Sequence, residues 1–327
     1  MPTGLRKFPI TKTNINQSLV MKINIGVDVG GTTINVGVVA DDGRIIEKIT
    51  AQTKTGSGSE IIIDTIIDNI NAILRKLNFT PENISSIGLG FPGTVESSKG
   101  IVVFAPNIFF ENVDVRSKIA RTFNCPIYLG QDSRAAAWGE YRVGAGVGHK
   151  NIAAITIGTG IGCGLIIDGK VFHGGHNTAG EFGHQLINPN GNKCNCGRNG
   201  CLETYCGGLS ILRSGKEQFK DLNIQAVKDV YDLAEAGNDK ALKITDSVVL
   251  NLGIGMVNLI NLTSLELISV SGGISNAPDR LLLDPLRTFV EEHCYPAITK
   301  KVKIVHSPLG DNAALIGAAL LDKTTEY

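Results

Sequence analysis

Apolar and polar positions along the chain alternate between short strand-like runs and longer stretches of helical spacing. From Ile23 a short apolar run leads into a glycine-rich turn. A second run covers residues 34–40, Asp41-Asp42-Gly43 makes a turn, and a third run covers residues 44–50. An Asp-Gly turn between such runs is a hairpin signal, so the segment is predicted to be a three-stranded meander. Residues 59–77 carry Ile, Leu and Ala at helical spacing behind a Ser-x-Glu opening, which predicts a helix packed on the meander. Residues 87–90 and 126–129 are predicted buried strands.

The pattern then repeats. Residues 152–157 read as a strand, Gly158-Thr159-Gly160-Ile161-Gly162 as a turn, residues 163–167 as a strand, and Asp168-Gly169 as a second hairpin turn. Strand, Gly/Thr turn, strand, Asp-Gly turn, strand thus occurs twice, about 130 residues apart, and reads as an internal duplication. Residues 225–262 are mostly helical in spacing, residues 267–270 form a strand running into Ser271-Gly272-Gly273, and residues 312–321 make an Ala/Leu-rich closing helix. Strands alternating with helices imply an α/β fold in two lobes with a cleft between them. The expected division is an N-terminal arm over 1–21, a small lobe over 22–131 plus about 312–327, and a large lobe over 132–311. Met21, directly before the first strand, is an alternative start.

Composition narrows the class. A chain of 327 residues can form about two domains, each with its own core. Lys plus Arg equals Asp plus Glu at 31 each, which gives no electrostatic reason to expect nucleic acid or an anionic membrane as partner. No apolar run approaches the roughly 20 residues that span a bilayer, and the first 20 residues lack a signal-type apolar core, so a cytoplasmic protein is expected. The seven cysteines are odd in number and clustered, which points to metal ligation rather than a disulfide framework.

Two kinds of candidate chemistry stand out. Asp28-Val29-Gly30-Gly31-Thr32-Thr33 lies between two strands. Its glycines let backbone N–H groups approach an anion, its threonines add donors, and Asp28 suits Mg²⁺, directly or through water. A single such turn is equally explained as a tight hairpin. A second at Gly158, Thr159 and Gly160 adds to the case for a polyphosphate held from both sides. There is no G-x-x-x-x-G-K-[ST] loop, and the second turn lacks G-x-G-x-x-G spacing and runs into a strand, so P-loop and dinucleotide-binding readings fit poorly. His184, Cys194, Cys196 and Cys201 form H-x9-C-x-C-x4-C, a set of three thiolates and an imidazole that completes a tetrahedral zinc site with no position open for water. Such zinc is structural.

The two glycine turns, with Gly180-Glu181-Phe182-Gly183-His184 and Cys194-x-Cys196-Gly197-x-x-Gly200-Cys201-x-Glu203, resemble the ROK family of sugar kinases and sugar-responsive repressors from about residue 22 onward. The resemblance implies a hexokinase/actin-like fold, a duplicated ribonuclease-H-like arrangement closing around sugar and ATP, and a homodimer. It implies Asp132 as catalytic base, sugar contacts from Glu181, His184, Glu203 and Asn107, and Gly272 and Gly273 beside the adenosine. Asp132 also precedes a run predicted to be helical, so a helix N-cap explains it as well. Gln131-Asp132-Ser133-Arg134 departs from the family's usual Asn-Asp-Ala-Asn; Gln131 takes the place of the Asn that helps read a sugar hydroxyl and carries its amide one methylene further out. The expected reaction is phosphorylation of a hexose, by default glucose to glucose 6-phosphate, with N-acetylmannosamine, fructose or another hexose as alternatives. Repressors add an N-terminal helix-turn-helix, and only about 20 residues precede the first strand here. A nucleic-acid-binding zinc module would need a basic stretch near Cys194, which is missing.

Overall fold

A computed structural model describes residues 22–56, 58–298 and 300–326; the expected N-terminal arm lies outside them. In chain order the first half contains β1 (Ile23–Val29), β2 (Thr33–Val39), β3 (Ile45–Gln52), α1 (Ser59–Lys76), β4 (Ile84–Phe91), β5 (Thr94–Glu96), β6 (Ile101–Ala105), β7 (Phe110–Asp114), α2 (Val115–Ala120), β8 (Ile127–Gln131) and α3 (Asp132–Val143). The second half contains β9 (Ile152–Ile157), β10 (Ile161–Ile167), β11 (Lys170–Val171), α4 (Glu203–Cys206), α5 (Gly208–Gln218), α6 (Val227–Glu235), α7 (Asp239–Thr263), β12 (Leu267–Ser271), α8 (Leu283–His293), β13 (Lys303–His306) and α9 (Ala313–Ala319).

The duplication is visible in the sheets. One has strand order β3-β2-β1-β4-β8 and the other β11-β10-β9-β12-β13, each an antiparallel meander extended by two parallel strands. β1 and β9 are equivalent central strands; on β1 the buried Ile23, Ile25, Val27 and Val29 share one face, in a core with residues of α1, while Gly26 on the other face meets α9. Register makes Asp28 on β1 and Thr156 on β9 equivalent, since each lies one residue before its strand's end, opposite Gly90 and Ser271 respectively. A separate three-stranded sheet, β5-β6-β7, was not predicted. By length and apolarity α7 could cross a membrane, against the expectation that no segment could. Its Val248, Leu252, Met256 and Ile260 lie in the hydrophobic core under the second sheet.

The two halves meet through helices that change sides. α3 follows a strand of the first sheet and packs on β9 and β10 of the second, whereas α9 follows a strand of the second and packs on β1, β2 and β4 of the first. Glycines let both lie flush: a Cβ on Gly88 would fall 1.8 Å from the Ala318 carbonyl, and one on Gly164 2.2 Å from the Ser133 carbonyl. α3 and α9 touch each other the same way, since a Cβ on Gly317 would fall 1.7 Å from the Ala135 carbonyl. The Trp138 indole N–H donates to the Leu320 carbonyl at 2.8 Å.

Gly317→Ala should therefore destabilise the protein by about 1–3 kcal/mol, despite alanine's better helix propensity, because backbone must move to admit the methyl. Gly31→Ala, which meets nothing within 4 Å, should leave the thermal midpoint unchanged. Thermal melts of both variants check this.

Candidate active site

The carboxyl ends of strands from both sheets converge on one cleft of about 480 Å³. β4 runs out at Pro92 and Gly93, β8 delivers Gln131 and Asp132, β9 leads into Gly158, Thr159 and Gly160, and β12 delivers Ser271 and Gly272. Open α/β sheets bind ligands at such strand ends, where loops and helix N-termini present free backbone groups. Of the predicted residues, the cleft brings together Asp28, Gln131, Asp132, Gly158, Thr159, Gly160, Glu181, Glu203 and Gly272. Gly30, Gly31, Thr32, Thr33, Gly273 and His184 do not line it; neither does Asn107, exposed in a short turn between β6 and β7.

Both glycine turns are held from behind. In the first, the Thr53 hydroxyl donates to the Gly30 carbonyl and the Thr53 N–H to the Thr32 carbonyl, each at 2.8 Å. In the second, N–H groups at the start of α5 hold the carbonyls: Gly208 donates to Gly158 at 2.9 Å and Leu209 to Thr159 at 3.2 Å. With the carbonyls engaged, the N–H groups of Gly31, Thr32, Thr159 and Gly160 have no partner among the described residues and are available to an anion. At Gly160 a neighbour stands where a side chain would be. A Cβ there would fall 2.2 Å from Glu203 Oε2, so Gly160 makes room for Glu203.

Asp132 opens α3, with Gln131 in the N-cap position expected for Asp132. Its Oδ1 accepts from the Ser133 N–H at 2.6 Å and hydroxyl at 3.0 Å, whereas Oδ2 has no hydrogen-bond partner among the described residues. The carboxylate is reachable from the cleft but surrounded by protein. Burial pushes its pKa up to about 6; the charges of Asp28 and Glu181 add to the rise, and the Ser133 bonds oppose it. Burial also raises Asp28, whose hydrogen bond comes from Asn35 Nδ2 at 3.3 Å. Asp311 also lines the cleft. Beside Asp132, Gln131 Oε1 is buried without a donor.

Arg134 turns away from the cleft. Its buried guanidinium donates to Asn177 Oδ1 at 2.6 Å and to the Asn177 and Ala179 carbonyls at 2.9 and 3.1 Å. It thereby anchors the segment that leads into Glu181.

The predicted metal ligands come together. Ligand atoms of His184, Cys194, Cys196 and Cys201 all lie within 4.8 Å of one another, with His184 Nδ1 3.7 Å from Cys194 Sγ and Cys196 Sγ 3.6 Å from Cys201 Sγ. A zinc–sulfur bond of about 2.3 Å implies tetrahedral edges of about 3.8 Å, so these spacings could hold zinc. Gly197 and Gly200, both with positive φ, make the reversals between ligands. Without a cation the thiols could not ionise together: burial and the neighbouring Cys196 and Cys194 push Cys201 up to about 12. His184 Nε2 faces Glu181 Oε2 at 3.9 Å, so the cluster adjoins the cleft wall.

The ROK family model matches residues 24–325. The chain belongs to the ROK family. This ROK chain is 35% identical to a glucokinase of Thermotoga maritima over 91% of its own length and 96% of the relative's. The structure of a ROK family glucokinase from Streptomyces griseus in complex with glucose and AMPPNP superposes with a TM-score of 0.80 at 31% identity, covering 92% of this chain and 99% of that one. The fold is thus the actin-like ATPase fold. A xylose repressor of Bacillus subtilis is 31% identical over 90% of this chain and 75% of the repressor.

The sequence reading missed Pro92, Gly93, Thr156, Ser271, Gly310 and Asp311 on the cleft wall, and Thr53 behind the first turn. A Pro-Gly pair closing a strand and an acidic residue before the final helix were the available signals.

Asp132→Asn gives an electrostatic prediction. Because the folded carboxylate titrates at about 6, above its ordinary 3.8, its charge costs stability at pH values above 6, and that cost fades as pH falls toward 4. The full shift corresponds to up to about 3 kcal/mol, less whatever solvent in the cleft screens. Asn keeps an oxygen for the Ser133 bonds, so the ligand-free variant should melt higher than the parent at pH 7.5, with the gap narrowing to about a third by pH 4.5. Thermal melts across pH check it; a pH-independent gap would assign the difference to packing.

Proposed function

We propose that this ROK protein is an ATP-dependent hexose kinase that transfers the γ-phosphoryl group to a sugar hydroxyl, with glucose the default acceptor. The observation that carries the proposal is Asp132 on the cleft floor with one carboxylate oxygen free, beside a glycine turn offering unpartnered N–H groups. With a pKa of about 6 the carboxylate is ionised at neutral pH and can orient the acceptor hydroxyl and take its proton. Phosphoryl transfer is largely dissociative, so positioning matters more than basicity.

Gln131, Glu181 and Glu203 supply acceptors for sugar hydroxyls, and Gln131 Oε1, lacking a donor, is one a hydroxyl could satisfy. Asn107 and His184 would join them when the lobes we assign, 22–131 with 312–327 and 132–311, close on substrate. The turns at Gly30–Thr33 and Gly158–Gly160 take the phosphates of ATP, Asp28 holds Mg²⁺ directly or through water, and Gly272 and Gly273 flank the adenosine. Zinc in the Cys₃His cluster is structural, since the protein fills all four positions.

ADP release measured over about twenty sugars with Mg-ATP tests the activity. At least one hexose should support turnover, and Asp132→Asn should lower kcat about 100-fold or more while sugar affinity stays within a few-fold. A variant keeping over a tenth of the rate would remove Asp132 from the base role. Sugar binding without any ADP release would favour a sugar-responsive regulator, the reading to which the xylose repressor relative points.

The metal is tested separately. Protein purified without chelator should carry about one zinc per chain, and Cys196→Ser should raise the sugar KM at least tenfold, about 1.4 kcal/mol if KM follows affinity. Zinc-free protein, or an unchanged KM in the variant, would contradict the assignment.

A further inference from the structure

Glu203 joins parts of the ROK fold that a sugar contact alone would not connect. It opens α4 two residues beyond the cluster ligand Cys201, and its side chain lines the cleft. Its Oε2 accepts the Ile161 N–H at 2.8 Å and fills the space that a side chain at Gly160 would need. Residue 161 is held on its other side as well, because Gly183 packs so closely that a Cβ there would fall 2.5 Å from the Ile161 carbonyl. Farther along, the N–H groups of Gly208 and Leu209 hold the carbonyls of Gly158 and Thr159. The conformation of the second glycine turn is thus held largely from the Glu203–Leu209 segment. Glu203 Oε1 meanwhile has no hydrogen-bond partner among the described residues.

We infer that Glu203 is the positioning residue that couples acceptor binding to nucleotide binding: Oε1 takes a sugar hydroxyl while Oε2 fixes the phosphate-facing turn through Ile161. The inference rests on the kinase reading for the identity of the two ligands. A hydroxyl bound at Oε1 restricts the rotation of the carboxylate, which restricts the turn, so the nucleotide meets N–H groups already ordered. Linkage then requires the nucleotide to tighten sugar binding by the same factor.

Calorimetric titration of Mg-AMPPNP into the full chain, with and without saturating glucose, reads the coupling without catalysis. Glucose should tighten AMPPNP binding about five-fold or more in the parent. Glu203→Gln keeps an oxygen for Ile161 but replaces the other with a donor, and Glu203→Ala removes both. Each should bring the factor to within about two of unity, with zinc content unchanged, a pattern that general loosening of the loop would not give. If Glu203→Ala does not fold, Glu203→Gln decides. A parent showing no coupling, or a Glu203→Gln protein that couples like the parent, overturns the inference. Failure of the kinase reading shows differently, as coupling that persists in a protein releasing no ADP with any sugar.

Discussion

The close crossing of α3 and α9 is the constraint on which the cleft depends. Each helix leaves one sheet and packs on the other, and each begins at the cleft: α3 with Asp132, α9 just after Asp311. Their contact is glycine on backbone, Gly317 against the Ala135 carbonyl and Gly139 against the Ala313 carbonyl. A contact without side chains has little slack, so it sets the spacing of the two sheets and hence of their strand ends. Trp138, bonded to the Leu320 carbonyl, pins the pair near the end of α9. Asp132 is consequently placed by helix packing rather than by a loop, which suits the role we propose for it in orienting a hydroxyl.

Electrostatics within the cleft run against stability. The chain as a whole is neutral, yet Asp28, Asp132, Glu181, Glu203 and Asp311 gather around one cavity, and burial raises the first two. Buried carboxylates that repel one another cost folding energy, as the rise of Asp132 under the charges of Asp28 and Glu181 records. The nearby cations act on them through charge alone, without a hydrogen bond: Lys48 lowers Asp28 while its amine donates to Asn312, and Arg134 interacts with Glu181 while its guanidinium holds the carbonyls of residues 177 and 179. The arrangement therefore costs the protein stability at neutral pH, a cost that only a site with a use for buried charge would keep.

Much of this was legible in the sequence because the informative signals were local. Asp-Gly turns between short apolar runs disclosed both meanders, and the four metal ligands lie within a short span whose glycines announce its reversals. The β5-β6-β7 sheet was not legible: its strands are three to five residues long and too short for a periodicity to emerge. Contacts between distant segments were equally hidden. Thr53 supports the first turn from the end of the meander, and Glu203 fills the space beside Gly160 from the far side of the metal loop. In both cases the glycine is conspicuous in the sequence while the partner that demands it is not.

The position of the metal cluster explains why this fold has one. The segment from His184 to Cys201 is mostly exposed and has few apolar side chains to bury, with Leu186 itself 63% exposed, so it cannot form a core of its own. A four-ligand crosslink can order such a segment where hydrophobic packing cannot. The order continues into α4 and the start of α5, the segment that grips the second glycine turn through Glu203, Gly208 and Leu209. Through His184 it also reaches Glu181, whose carboxylate lies 3.9 Å from the imidazole. A metal held entirely by protein, as we propose, would therefore need no chemistry of its own to shape both Glu181 and the second glycine turn, because the same short stretch of chain reaches each.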